Sequence, residues 1–165
     1  MPRVLIIAYG NPLRSDDGVG WAVAEELSRK LASPEVEVLQ LLQLLPEVAE
    51  SVSRADTVIF VDASYDGAPG EVRCRPVTPP SAKAQFTHQL SPAELLGLAG
   101  QLYGATPQAF CVSLGGQCFE HGEELSKDVT ARLPQLTCKV EQLTRQVLSG
   151  SLATLPSSQE TEAAS

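Results

Sequence analysis

Three side chains of this sequence have the chemistry to bind a metal ion or to transfer protons. Asp17 lies in an acidic loop, Asp62 ends an apolar run, and His88 lies in a polar loop before a helix start. Two carboxylates and an imidazole suit a borderline divalent ion such as nickel or zinc, and they leave coordination positions open. The same groups can act as base and acid in hydrolysis. If the three residues converge, the sequence predicts a hydrolytic or metal-binding site.

The acidic loop follows the first apolar run of the chain and carries further candidate residues. The supporting residues predicted here are Gly10, Asn11, Asp16 and Gly18. Asp16 or Asp17 also has an ordinary structural interpretation, because an acid at a helix N-terminus caps the helix or favours its dipole. Asp62 can likewise bond loop amides, and His88 can be a surface histidine. At the level of single residues these alternatives stay open.

The elements that must position these residues alternate between strand and helix. Continuous apolar runs at residues 3–9 and 55–63 are typical of parallel strands buried on both faces. Further strand candidates are residues 35–42, 108–114 and, as an alternating edge strand, 70–77. Helices are predicted over residues 18–32, after Pro46, from the capping sequence at Ser91 to Tyr103, and from Ser126 onward. Pro134 should kink or divide the last of them.

This alternation predicts a single three-layer α/β domain. We expect a mainly parallel twisted sheet of about five strands, helices on both faces and one antiparallel edge strand. If the first and third strands are neighbours, the acidic loop and Asp62 meet at one crevice beyond the strand ends. The domain is predicted to cover residues 1–148. Residues 149–165 are mostly Ser, Thr, Ala and Glu and are predicted to form a disordered tail.

Composition and charge exclude several classes of protein. The 165 residues carry a net charge of −8, which opposes nonspecific binding of nucleic acid. No signal peptide and no apolar stretch of about 18 residues is visible, so we expect a cytoplasmic protein that does not enter a membrane. The four cysteines have no zinc-site spacing and are interpreted as reduced, mostly buried thiols. The only other histidine, His121, is interpreted as a solvated loop residue, and two histidines are too few for a histidine-rich metal cage.

The acidic loop and four later segments resemble one known family. Residues 10–20 read Gly-Asn-Pro-Leu-Arg-Ser-Asp-Asp-Gly-Val-Gly and closely resemble the signature of the [NiFe] hydrogenase maturation endopeptidases. The resemblance continues, in order, at residues 43–47, 61–63, 88–92 and 122–126. Within that pattern the metal-contacting second acid matches Asp17, the strand-end acid matches Asp62, and the loop histidine matches His88. Asp16 matches the first acid, to which we assign a structural or supporting role.

The resemblance implies a peptidase that removes a C-terminal extension from a [NiFe] hydrogenase large-subunit precursor after nickel insertion. Asp17, Asp62 and His88 would contact nickel that the precursor presents, either to recognise it or to use it in cleavage. The family's pattern implies no organic cofactor and a twisted α/β fold. The precursor is the implied partner, and we expect the enzyme itself to be a monomer.

Two other functions remain compatible with clustered acids. Phosphoacceptor receiver domains, which are regulatory modules rather than enzymes, bind magnesium through an acid pair and a strand-end Asp. They also need a Lys after the fifth strand, where this chain has Ser113-Leu114-Gly115-Gly116. A metallo-hydrolase for another peptide or amide would keep the same site and change only the substrate.

Overall fold

The computed structural model describes residues 3–81, 89–151 and 160–162. The strands are β1 (Val4–Tyr9), β2 (Val36–Leu41), β3 (Thr57–Ser64), β4 (Val72–Pro76), β5 (Gln108–Gly115) and β6 (Glu160–Glu162). The helices are α1 (Val19–Lys30), α2 (Ala49–Ser53), α3 (Pro92–Tyr103) and α4 (Lys127–Ser149). Short turns of 3-10 helix, Ser15–Gly18 and Pro46–Val48, lead into α1 and α2. Every predicted strand and helix is present, with ends that differ by a few residues from the predicted ones.

The sheet has the strand order β2-β1-β3-β5-β4-β6. β1 pairs in parallel with β2 and β3, and β3 pairs in parallel with β5. β4 runs antiparallel to β5, and β6 runs antiparallel to β4. The predicted α/β class, the mainly parallel sheet and the antiparallel strand are therefore confirmed. The predicted adjacency of the first and third strands is confirmed as well, so the acidic loop and the end of β3 leave the same edge of the sheet.

Helices cover both faces of the sheet, which explains the unbroken apolar runs. In β1, Val4 and Ile6 pack toward α1 and α4, whereas Leu5 and Ile7 pack toward α2 and α3. All four side chains are completely buried. Burial of one such side chain contributes about 1.5–3 kcal/mol. A polar residue on either face of this strand would therefore be costly, and the usual alternation of a one-sided strand is absent.

The start of α3 is fixed by the capping box that its sequence predicts. The Ser91 hydroxyl accepts a hydrogen bond from the Glu94 amide at 3.1 Å, and the Ser91 amide donates to Glu94 Oε1 at 3.0 Å. Pro92 occupies the first turn, where a missing N–H costs nothing. At the other end, Gly104 adopts a left-handed conformation (φ 67°) that ends the helix.

Replacing Ser91 by Ala is expected to lower the free energy of unfolding by about 1 kcal/mol, because the Glu94 amide loses its acceptor. Urea denaturation followed by circular dichroism measures this loss. Ser91→Thr keeps the hydroxyl group and serves as the matched control, with a much smaller expected loss. Equal destabilisation by Ala and Thr would contradict a capping role.

The last helix differs from the prediction at Pro134. A kink or a division was predicted there; α4 is one uninterrupted helix from Lys127 to Ser149, so the division is wrong and the kink stays a prediction. Side chains on both sides of it, including Val129, Leu136 and Val140, are buried against the sheet. We infer that this packing outweighs the backbone hydrogen bond that a proline cannot donate.

The C-terminal segment is described only in part. Glu160–Glu162 forms β6, whereas residues 152–159 and 163–165 lie outside the described residues. The predicted domain limit and disordered tail therefore stay predictions. No helix in the described part of the chain is both long enough and apolar enough to cross a membrane.

Candidate active site

The acidic loop turns sharply so that its end returns to its beginning. Gly10 has a φ of 141°, and a Cβ atom there would collide with the carbonyl oxygen of Asp17. A Cβ atom on Gly18 would lie 2.7 Å from Cα of Pro12. The Asn11 amide donates to Asp17 Oδ2 at 2.7 Å. The predicted supporting residues Gly10, Asn11 and Gly18 thus shape the loop that holds the Asp17 carboxylate.

Asp16 has a different position from Asp17 and is completely buried. Its carboxylate accepts hydrogen bonds from the amides of Gln117 and Cys118, both at 2.8 Å, and from the amide and hydroxyl of Ser126, both at 2.7 Å. Burial acts to raise the pKa of Asp16, but the hydrogen bonds from Ser126, Cys118 and Gln117 hold this pKa below its ordinary value. Asp16 therefore joins the acidic loop to the segment before α4.

The short turn that contains Asp16 is held by further contacts to the same segment. Ser15 adopts a φ of 54°, which is uncommon for a residue other than glycine. Its amide donates to the Gly122 carbonyl at 2.8 Å, and its hydroxyl donates to the Glu120 carbonyl at 2.8 Å. These bonds offset the unfavourable backbone conformation and fix the direction in which Asp17 leaves the turn.

Asp17 and Asp62 line one pocket of about 440 Å³ at the C-terminal edge of the parallel strands. Both side chains are half-buried. Asp17 Oδ1 accepts a hydrogen bond from the hydroxyl of the exposed Tyr65 at 3.2 Å. The Tyr65 ring stacks on Phe119, with 3.9 Å between the ring centroids. The structure thus brings together two of the three predicted site residues.

Asp62 is held at the end of β3 by a tyrosine of the neighbouring strand. Tyr9 lies one residue beyond the Ala8–Val61 pair, beside Asp62, and its hydroxyl hydrogen-bonds to the Asp62 carboxylate. The pKa of Asp62 is raised to about 6, mainly by burial and also by the negative charge of Asp17, whereas the Tyr9 hydrogen bond opposes the shift. A carboxyl group with this pKa can accept or release a proton near neutral pH.

Neither tyrosine was identified as a site residue from the sequence. Tyr9 ends a run that reads as purely apolar, and its ring packs edge-on against Phe60 with centroids 6.5 Å apart. Its hydroxyl was the available signal, because a polar group at the carboxyl end of a buried strand points to the crevice. Tyr65 lies three residues after Asp62 and had no comparable signal.

His88 lies outside the described residues, so its predicted place in the site stays a prediction. The four residues that follow it in the chain, Gln89, Leu90, Ser91 and Pro92, all line the pocket of Asp17 and Asp62. Among residues 3–81, 89–151 and 160–162, no three His, Cys, Asp or Glu side chains are grouped as a metal site. The two carboxylates fit a divalent ion as partial ligands, and a third ligand would have to come from elsewhere.

The receiver-domain alternative fits this architecture poorly. Receiver domains have the doubly wound strand order 2-1-3-4-5. Here the order is β2-β1-β3-β5-β4, with an antiparallel β4. β5 ends at Ser113, Leu114 and Gly115 without the required lysine.

Comparison with known proteins identifies the fold. No protein-family model matches the chain, and no curated protein matches it by sequence.

Several solved structures are similar over most of their length. The hydrogenase maturating endopeptidase HybD from E. coli has 24% identity and a TM-score of 0.67, with 96% of each chain covered. The [NiFe] hydrogenase maturation protease HycI from Thermococcus kodakarensis has 23% identity and a TM-score of 0.70, with 87% of this chain and 92% of that chain covered. A hydrogenase 2 maturation peptidase from Thaumarchaeota archaeon SCGC_AB-539-E09 has 23% identity and a TM-score of 0.64, with 86% and 97% covered. The chain therefore has the fold of the hydrogenase maturation endopeptidases, the family that its acidic loop resembles.

Proposed function

We propose that this protein is an endopeptidase that removes the C-terminal extension of a [NiFe] hydrogenase large-subunit precursor. The observation that carries the proposal is the shared pocket of Asp17 and Asp62, which lies at the end of β1 and β3 in a chain with the fold of these peptidases. The motif resemblance at residues 10–20 supports the same conclusion.

In this proposal nickel belongs to the substrate and is not a resident cofactor. Asp17 and Asp62, with His88 as the third ligand, bind the ion that the precursor presents and so place the cleavage segment in the pocket. Nickel then serves as a checkpoint, because an unloaded precursor lacks the group that the carboxylates bind. The bound ion can also polarise the scissile carbonyl or activate water.

The protein's own contribution is the orientation and proton affinity of the two carboxylates. The Asn11 amide holds Asp17 Oδ2, and Oδ1 accepts a hydrogen bond from the exposed Tyr65 hydroxyl at the pocket. The Tyr9 hydroxyl holds the Asp62 carboxylate by a hydrogen bond. With a pKa of about 6, Asp62 is mostly ionised at neutral pH and still able to hold a proton during the reaction.

Incubation of the purified protein with nickel-loaded and nickel-free precursor tests the proposal. We expect a small downward gel shift of the loaded precursor alone, and mass spectrometry should detect the released C-terminal peptide. Asp56→Asn, at an exposed acid on the opposite edge of the sheet, is the matched control and should cleave normally. Absence of cleavage of the loaded precursor would refute the proposal and leave a hydrolase for another peptide or amide as the alternative.

A further inference from the structure

A second pocket of about 400 Å³ lies on the other side of Asp62. Its lining includes Tyr9, Asp62, Arg75, Cys111 and Ser113. Tyr9, Asp62 and Tyr65 line both pockets, so Asp62 stands in the wall between them. A polypeptide held across Asp62 would therefore extend into both pockets, and only the first contains Asp17.

The strand register shows why polar groups meet in the second pocket. Asp62 of β3 is paired with Ser113 of β5, and Ser113 is paired with Arg73 of β4. Paired residues of adjacent strands project to the same face of a sheet, so these three side chains form one polar row. The next row toward the sheet centre contains Cys111 paired with Arg75. Cys111 is buried, whereas Arg75 is exposed at the pocket.

The two arginines differ in their partners. Arg73 donates to Glu71 at 3.1 Å and lies 3.7 Å from the Asp66 carboxylate. Asp66 in turn accepts a hydrogen bond from the Ser64 hydroxyl at 2.6 Å. In the described part of the chain, no carboxylate forms an ion pair with Arg75, whose guanidinium hydrogen-bonds to the Cys111 thiol and acts on the charges of Asp62 and Asp66 from a longer distance. Arg73 is therefore shared between the carboxylates of Glu71 and Asp66, whereas Arg75 keeps donors for a ligand.

Ser113 adds a second donor to the same pocket. Its side chain forms no hydrogen bond with any described residue, and it is half-buried on the row between Asp62 and Arg73. A planar guanidinium beside a free hydroxyl matches a carboxylate, which accepts two parallel hydrogen bonds from arginine and has lone pairs left for a third donor. Asp62 lines both pockets, so its charge disfavours a carboxylate in either of them; the first pocket adds the charge of Asp17, whereas the second adds Asp66 together with Arg73 and Arg75.

We propose that the pocket of Arg75 and Ser113 is a subsite for a carboxylate group of the polypeptide held at Asp62. The proposal rests on the proposed peptidase function. Two sources supply this chemistry. One is an acidic side chain next to the cleaved bond. The other is the α-carboxylate that hydrolysis creates, when water oxygen bonds to the carbonyl carbon, the C–N bond breaks and the leaving nitrogen takes a proton.

Titration of the full-length, isotope-labelled protein by NMR tests the subsite without nickel or cleavage. The probes are N-acetylglycine, which carries an α-carboxylate, N-acetylaspartate amide, which carries only a side-chain carboxylate, and N-acetylglycine amide as the neutral control. We expect saturable shifts of the Arg75 Nε–H and Ser113 amide signals with at least one carboxylate probe, and none with the neutral control. Binding of N-acetylglycine alone identifies the product carboxylate, and binding of N-acetylaspartate amide identifies an acidic side chain.

Variants test the assignment of the donors. Arg75→Gln should weaken carboxylate binding by about 10-fold or more, and Ser113→Ala by about threefold. Arg75→Lys should lie between wild type and Gln, because it keeps the charge and loses the planar fork. Arg145→Gln, at an exposed arginine paired with Glu141 on α4, is the control and should bind normally.

Equal shifts with the neutral probe, no saturable shifts, or unchanged binding in Arg75→Gln would each overturn the subsite. Failure of precursor cleavage with intact probe binding would instead contradict the proposed function.

Discussion

Asp62→Asn is expected to abolish precursor processing and, in the same protein, to raise the stability of the fold at pH 8. Loss of the carboxylate removes a metal-binding and proton-transferring group, so we expect processing to fall by about 100-fold or more. Stability should rise because the ionised Asp62 carboxylate is unfavourably placed, buried and close to Asp17. A residue that served only the fold would show the opposite change in stability.

The sign and size of the stability change follow from the pKa of Asp62. Its pKa is raised from 3.8 to about 6 in the folded protein, so folding favours the protonated form. The stabilisation from this group is complete below pH 3.8 and is lost as the pH rises through about 6. At pH 8 the Asn variant avoids this loss, and we expect it to be more stable than wild type by about 1–3 kcal/mol. Below about pH 4 the difference should disappear.

Urea denaturation at pH 4, 6 and 8 in the presence of a chelator measures stability without a contribution from bound metal. Processing assays on the same protein, together with Asp17→Asn and His88→Ala, measure function. Each of these two further variants should also abolish or strongly impair processing. Full activity in all three variants would refute the site, and a less stable Asp62→Asn at pH 8 would refute the account of its burial.

Asp16→Asn is expected to destabilise the fold by about 3–5 kcal/mol at neutral pH. An asparagine amide in place of Oδ2 would face the amides of Gln117 and Cys118, which are donors themselves. With the amide nitrogen in that position two N–H groups would lose their acceptor, and with it in place of Oδ1 the Ser126 N–H would lose its acceptor, so the charge-assisted network is broken in either orientation. The acidic loop would then separate from the segment before α4, and the position of Asp17 would be lost with it.

The pH dependence of this effect is opposite in sign to that of Asp62. The pKa of Asp16 is lowered in the folded protein, so its stabilisation is present above the ordinary value of 3.8 and is lost as the pH falls below it. The difference between wild type and Asp16→Asn should therefore be largest at neutral pH and shrink in acid. Asp56→Asn, at an exposed acid, should change stability by less than about 0.5 kcal/mol. Denaturation curves that coincide for the Asp16 and Asp56 variants would show that the hydrogen bonds of Asp16 do not stabilise the fold.

Local features of the sequence were sufficient for the secondary structure. The strand β1 was predicted from one continuous apolar run, which is typical of a strand covered on both faces. The start of α3 was predicted from a capping box, Ser91 and Glu94, that spans four consecutive residues. Such signals depend on neighbours within a few positions, so they can be read without the fold. The adjacency of β1 and β3, and hence the meeting of Asp17 and Asp62, followed from the doubly wound pattern. Pro134 is an exception to these local rules, because packing of α4 against the sheet keeps the helix continuous at this proline.

The separate roles of the two adjacent acids were decided by tertiary structure. Asp16 and Asp17 are neighbours of the same type, yet Asp16 is buried among donors more than one hundred positions away, whereas Asp17 opens to the pocket. The contacts of Tyr9 with Asp62 and of Tyr65 with Asp17 also join separate segments. By itself, the sequence determined that Asp17 and Asp62 reach one edge of the sheet, and it offered His88 as a third candidate. Only the folded chain decided which carboxylate is satisfied by the protein and which faces an open pocket, because hydrogen-bond partners and burial depend on segments far apart in the chain.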